Sequence, residues 1–116
     1  MIENEEIFII TKLVAAHFGM NINEIIERNR RTEIVKPRQL AQALCFIVLE
    51  VDHKEIALSH KMERTTIYNS IKSVSNRRDT QPSYAKVFDK LEHSCHELIF
   101  GLRKFKAIKE IKLQGY

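Results

Sequence analysis

A chain of 116 residues lies within the range of one domain, and a domain of that size hides roughly two-thirds of its unfolded surface. Hydrophobic residues make up 44% and charged residues 29% of the chain, and only three glycines and two prolines occur. Such sparse punctuation argues against a protein of many short strands and toward helices. The net charge of +4 points mildly to a polyanionic partner. The acidic start, Met1-Ile2-Glu3-Asn4-Glu5-Glu6, does not read as a signal peptide. The longest apolar run, Ala41 to Leu49, is interrupted by Gln42 and falls short of the ~18 residues that span a bilayer. A cytoplasmic protein without a membrane partner is expected, with Cys45 and Cys95 as reduced core thiols.

In chain order, Ile7, Ile10, Leu13, Val14 and Phe18 recur at helical spacing and predict a helix from about Glu5 to Phe18. Gly19 ends it as a left-handed C-terminal residue, and Asn21 or Asn23 caps a short helix through Ile25 and Ile26. The stretch Arg28 to Lys36 shows no helical stripe and reads as an extended basic loop. Pro37 suits the first position of the next helix, which runs to about Val51. From Leu40 onward that helix is apolar on nearly every side, so it is central. Asp52 with Glu55 has capping-box spacing and opens a short helix from about His53 to Leu58.

A further helix starts near Arg64 or Thr65. Its apolar stripe, Ile67, Ile71 and Val74, is narrow, and Arg64, Thr65, Tyr68, Asn69 and Lys72 occupy the opposite face. Pro82 starts a last, long helix. The expected fold is all-α, five or six helices around a central apolar helix, with a helix-turn-helix from about Asp52 to Ser75 and a long C-terminal helix. A B-DNA major groove admits one such helix, whose N-terminal side chains meet base edges. Base readout would fall to Glu63, Arg64, Thr65, Thr66 and Asn69. Lys54, Lys61, Lys72, Arg77 and Arg78 would neutralise phosphates, and the basic segment with Arg28, Arg30, Arg31, Lys36, Arg38 and Gln39 would add backbone or minor-groove contacts. Arg64 could read guanine or grip a phosphate.

From Val14 to about Leu91 the residues resemble the C-terminal DNA-binding domain of the bacterial replication initiator DnaA. The resemblance rests on Val14-Ala15-Ala16-His17-Phe18-Gly19-Met20-Asn21-Ile22-Asn23-Glu24-Ile25-Ile26, on Arg30 through Ala41 with its Pro37-Arg38-Gln39, and on Thr65-Thr66-Ile67. It implies a minor-groove role for Arg30, phosphate contacts for Arg38 and Gln39, and major-groove contacts for Thr65 and Thr66. Where the family carries Gly-Gly-Arg-Asp-His before the threonines, this chain has His60-Lys61-Met62-Glu63-Arg64, so Glu63 and Arg64 replace the base-reading Asp-His pair; Lys54 stands at a family proline. A sequence preference different from the family's is therefore expected. No Gly-rich phosphate loop occurs, so the reading is of a DNA-binding domain, residues 1–91, standing without the family's ATPase module, followed by a helical extension, residues 92–116.

No Ser-His-Asp logic and no glycine-lined nucleophile turn is present, so neither catalysis nor a small-molecule substrate is expected. His93 and His96 share a helix face, but Cys95 faces elsewhere and no fourth ligand is apparent; no metal or cofactor is expected. The partner is double-stranded DNA, in a replication-origin or transcriptional role. The alternative is a protein-interaction module that keeps the fold and docks to a replication or regulatory protein. In the extension, Phe88, Leu91, Cys95, Leu98, Leu102 and Phe105 form a heptad stripe. Its distal members need a partner, either a second copy, making a homodimer through the C-terminal helix, or the N-terminal helix through Ile7, Ile10 and Leu13.

Overall fold

The computed structural model describes residue 2, residues 4–27 and residues 31–113. Six helices follow one another: α1 (Glu5–His17), α2 (Ile22–Ile26), α3 (Thr32–Leu49), α4 (His53–His60), α5 (Arg64–Thr80) and α6 (Pro82–Leu113). No strand occurs among the described residues, and no described helix is long and apolar enough to cross a membrane.

Local chemistry sets the ends of α1 and α2. The Asn4 side chain accepts from the Ile7 amide at 3.0 Å and caps α1. Gly19 adopts φ 65°, with its amide on Ala16 and the Met20 amide on Ala15, the paired closing bonds of a left-handed C-terminal cap. At α2, Asn21 Oδ1 accepts from the Asn23 amide and Glu24 Oε1 accepts from the Asn21 amide, a complete capping box. The box expected at α4 is only half formed. Asp52 accepts from the Lys54 amide, but Glu55 turns away and accepts from the Asn4 side chain at 3.1 Å, tying α4 to the start of α1.

α3 is the central helix: Leu40, Ala41, Ala43, Leu44 and Cys45 are buried among α1, α5 and α6. It begins earlier than the sequence predicts. Residues 32–36 are helical rather than extended, and Pro37 lies inside the helix, not at its first position. Proline costs one backbone bond there, but Ile34 is 4% exposed and Pro37 and Arg38 are buried. Tertiary packing of that first turn outweighs the local bias against it.

A buried polar chain joins three helices behind the helix-turn-helix. Thr11 Oγ1 donates to the Ile7 carbonyl (2.7 Å), leaving its lone pairs to accept from His60 Nε2 (3.0 Å); the Gln42 amide then donates to His60 Nδ1 (3.2 Å). These directions require a neutral ring. Burial, with the Arg38 charge adding to it, pulls the His60 pKa down to about 4.

α6 packs its first half on the globule through Phe88, Leu91, Cys95 and Ile99. The inward seam thus passes through Ile99, not Leu98, correcting the heptad reading. On a straight helix of ~3.6 residues per turn the core line from Phe88, Leu91 and Cys95 continues to Ile99, while the seven-residue step from Leu91 through Leu98 to Phe105 drifts off it. Both thiols are free and buried, and burial pushes both pKa values up, that of Cys95 to about 12.

Candidate nucleic-acid interface

The helix-turn-helix is α4, a two-hydrogen-bond turn, and α5. Lys61 closes α4 in the left-handed region, φ 53°, with its amide on Leu58 and the Met62 amide on Ala57. A side chain tolerates this conformation less well than glycine does. The turn nevertheless keeps its geometry because Met62 is half-buried and its sulfur accepts from the Gln42 amide.

α5 rests on α3 through Ile67, Ser70 and Val74, all buried, with Ser70 Oγ donating to the Thr66 carbonyl. That orientation sends Arg64, Thr65, Thr66 and Asn69 to solvent along one open face, with Glu63 ahead of them and Lys72 one turn beyond. Glu63 occupies the N-cap position but its side chain makes no capping bond. The first turn of α5 therefore offers its amide end, with its positive dipole, toward the same side as Arg64. Lys54 and Lys61 are exposed on α4 and its turn. The base-readout residues named from the sequence are thus gathered on one surface.

Other nominated cations are engaged within the protein. Arg38 is 8% exposed; its Nε donates to the Ile25 carbonyl at 2.6 Å and its Nη2 to the Glu27 carbonyl. The guanidinium clamps the C-terminal end of α2 onto α3, where the helix dipole favours a cation, so its placement here differs from the open phosphate ligand that the sequence suggests. Gln39 is half-buried and accepts from Arg77 Nη1 at 2.8 Å, joining α3 to α5. Arg78 pairs with Asp89 at 3.1 Å and lies 4.7 Å over the Phe88 ring. The family spacing of Pro37-Arg38-Gln39 carried no sign of these internal partners, because each lies on another helix. Arg31 occupies the N-cap position of α3 without a side-chain capping bond and sits 3.8 Å from Glu33, and Lys36 is exposed. Arg28 and Arg30 lie outside the described residues.

The sequence reading missed one feature beside α5. Phe46 from α3, His53 from α4 and Tyr68 from α5 form an aromatic group with tilted rings, their centroids 4.8 and 6.0 Å apart in turn. His53 and Tyr68 line two shallow depressions, one with Arg64 and Thr65 and the other with Phe46, Ile71 and Lys72. Tyr68 was visible as a member of the outer face; His53 and Phe46 carry no periodic signal that would join them to it. In α6, His93 pairs with Glu97 (3.1 Å) and His96 with Glu92 (3.6 Å), each one turn apart. No group of three metal-type ligands occurs among the described residues.

A chromosomal replication initiator protein DnaA from Bdellovibrio bacteriovorus is 31% identical over 90 residues, covering 77% of this chain and 19% of that protein. The corresponding DnaA 1 of Chlamydia muridarum is 29% identical over 70 residues, covering 60% of this chain and 15% of that protein. The chain therefore spans less than a fifth of the length of these relatives. In fold, it matches the crystal structure of a DNA replication initiation factor with a TM-score of 0.75 at 23% identity, over 82% of this chain and 29% of the other. The family model for the bacterial DnaA protein helix-turn-helix matches residues 7–74, which include the whole of α1 to α4 apart from two residues and most of α5. On that match over more than half of its length, the chain belongs to the bacterial DnaA helix-turn-helix family.

Proposed function

We propose that this protein binds double-stranded DNA, with the N-terminal half of α5 in the major groove and basic residues on the flanking backbone, and that it acts by binding and not by catalysis. The observation that carries the proposal is the single exposed surface of Arg64, Thr65, Thr66 and Asn69 on a helix whose opposite side is locked to α3. A recognition helix must be held rigidly from behind and left open in front. Lys54, Lys61 and Lys72 lie where phosphates would flank that helix, Lys36 extends the basic surface toward the start of α3, and Arg30 is the residue the family resemblance nominates for the minor groove. That the relatives are chromosomal replication initiator proteins supports a role in replication initiation, for which this domain would bind origin DNA; a transcriptional role would use the same surface. The cytoplasm is the compartment such a role requires.

A salt titration against mixed duplex DNA tests the proposal. Affinity should fall steeply with salt, and Lys61→Ala or Lys72→Ala should each reduce the magnitude of the log–log slope by roughly one, equally for all duplexes. A flat salt response would sink DNA binding and favour the second reading, a protein-docking module. That reading draws support from the Phe46, His53 and Tyr68 group, since aromatic residues are enriched at protein interfaces.

Sequence preference is expected to differ from that of the relatives, because Glu63 and Arg64 stand at the entry of α5. A bidentate arginine–guanine pair discriminates by about 1–3 kcal/mol. In selection from a random duplex library, Arg64→Ala should relax one guanine position and leave the others intact. A uniform loss across all sequences would assign Arg64 to a phosphate instead.

A further inference from the structure

We propose that Tyr68 reads a base: its ring, held in place by His53 and Phe46, packs against the C5-methyl group of a thymine in the major groove, within about two base pairs of the base that Arg64 meets. The contact rests on the proposed placement of α5 in the major groove, and it supplies an element of sequence preference that hydrogen bonds do not.

The outer face of α5 is polar except at one position. At about 100° per residue, Thr65, Tyr68, Asn69 and Lys72 fall in one arc opposite the buried Ile67, Ser70 and Val74. Thr65, Asn69 and Lys72 are exposed, as is Arg64 at the edge of the arc, and each ends in a hydrogen-bonding or charged group. Tyr68 is 57% exposed and is the one large apolar side chain exposed on α5. It lies one turn after Arg64, about 6 Å along the axis, within the half of the helix that a major groove receives. Its ring lines the same shallow depression as Arg64 and Thr65, so it stands at the entry of α5 beside the residues proposed to meet bases.

The ring is also braced. The His53 ring lies 6.0 Å from it at an interplanar angle of 34°, and the Phe46 ring lies 4.8 Å from His53 at 48°. Both bracing residues are half-buried, and Phe46 packs against the core. The rings therefore run from α3 through the start of α4 to the outer face of α5. A side chain ordered before binding gives up little conformational freedom on contact.

The chemistry of the groove names the partner. The edges of the base pairs show acceptors, donors and one apolar group, the thymine C5-methyl. A ring face cannot satisfy the acceptors and donors, and burying them against it without a partner is unfavourable; against the methyl group it removes apolar surface from water. The phenol hydroxyl offers the rival contact, a hydrogen bond to a phosphate, which would position α5 without reading sequence.

The duplex that the intact chain selects from a random library tests this, with each thymine replaced in turn by deoxyuridine. That change removes the methyl group and leaves every hydrogen-bonding group in place. By fluorescence anisotropy at fixed salt, one replacement should raise Kd about fourfold for the intact chain, the size of one buried methyl group. The sensitive thymine should lie within about two base pairs of the position that Arg64→Ala relaxes. Tyr68→Phe should keep the uracil-to-thymine ratio of Kd values, and Tyr68→Ala, too short to reach the base, should bring it close to one. Each ratio compares two duplexes with the same protein, so a variant that folds less well loses affinity for both and keeps its ratio. A ratio near one at every thymine for the intact chain overturns the proposal. A ratio that persists in Tyr68→Ala overturns it as well, and assigns the methyl to another group such as the Thr65 side chain. Loss of the ratio in Tyr68→Phe overturns it too, because the hydroxyl and not the ring would then carry the contact. Duplex binding that survives with any of these results leaves the proposed DNA binding standing, whereas no duplex binding at all defeats both.

Discussion

Replacing Arg38 with alanine is expected to destabilise the fold by about 3 kcal/mol. The guanidinium bonds two carbonyls at the end of α2, those of Ile25 and Glu27, from a site where burial lowers its pKa below the ordinary arginine value. A hydrogen bond to a charged group contributes about 1.5–3 kcal/mol, and a carbonyl left buried without a donor costs about 1–3 kcal/mol. Water entering the vacated site recovers part of that, which brings the net to about 3. Arg38→Lys should recover less than half, because an ammonium cannot reach two carbonyls with the planar fork of a guanidinium. Urea unfolding measures both; a loss under about 1 kcal/mol for Arg38→Ala would show that the clamp contributes little. The same variant separates folding from DNA contact. Measured where the protein remains folded, an unchanged salt slope assigns Arg38 to structure alone, and a slope smaller by roughly one assigns it a phosphate as well.

Acid should weaken the fold through His60 before the carboxylates titrate. The ring is 1% exposed, and its pKa falls from 6.5 unfolded to about 4 in the fold. The sign follows directly: the unfolded chain binds the proton more tightly, so stability is full above pH 6.5, declines between 6.5 and 4, and is flat for this group below 4. A difference of that size is worth about 3 kcal/mol at the acid end. The bond directions explain the penalty. A proton on Nδ1 would confront the amide donor of Gln42, and only rotation of that amide, turning its buried and unpartnered Oε1 toward the ring, would relieve the clash. His60→Gln can donate to Thr11 and accept from Gln42 while carrying no titratable proton. It should flatten the stability profile between pH 6.5 and 4; a slope that persists in this variant would assign the acid sensitivity to another group. Because His60 is the last residue of α4, acid should loosen the turn that presents α5.

Within the sequence alone, whatever repeats locally was legible. The apolar spacing of α1 and α5, Gly19 as a left-handed cap, the all-round apolar α3 and Pro82 at the start of α6 each follow from chemistry within a few residues, and together they specify an all-α helix-turn-helix. The outer face of α5 followed too, since Ile67 and Val74 can only be buried one way. Tertiary structure decided what depended on residues distant in the chain. Ile34 and Pro37 gain more from burial than the backbone loses at the proline, so α3 starts at Thr32. Arg38, Gln39, Arg77 and Arg78 find partners on other helices, so cations that look alike in sequence divide into clamps and open contacts. In sequence His60 lies past the expected end of α4 at Leu58, and only the fold encloses it between Thr11 and Gln42. Along α6, 3.6 residues per turn sends Ile99 inward and turns Leu98 and Phe105 out, a choice made only once the globule supplies a surface for the helix to follow.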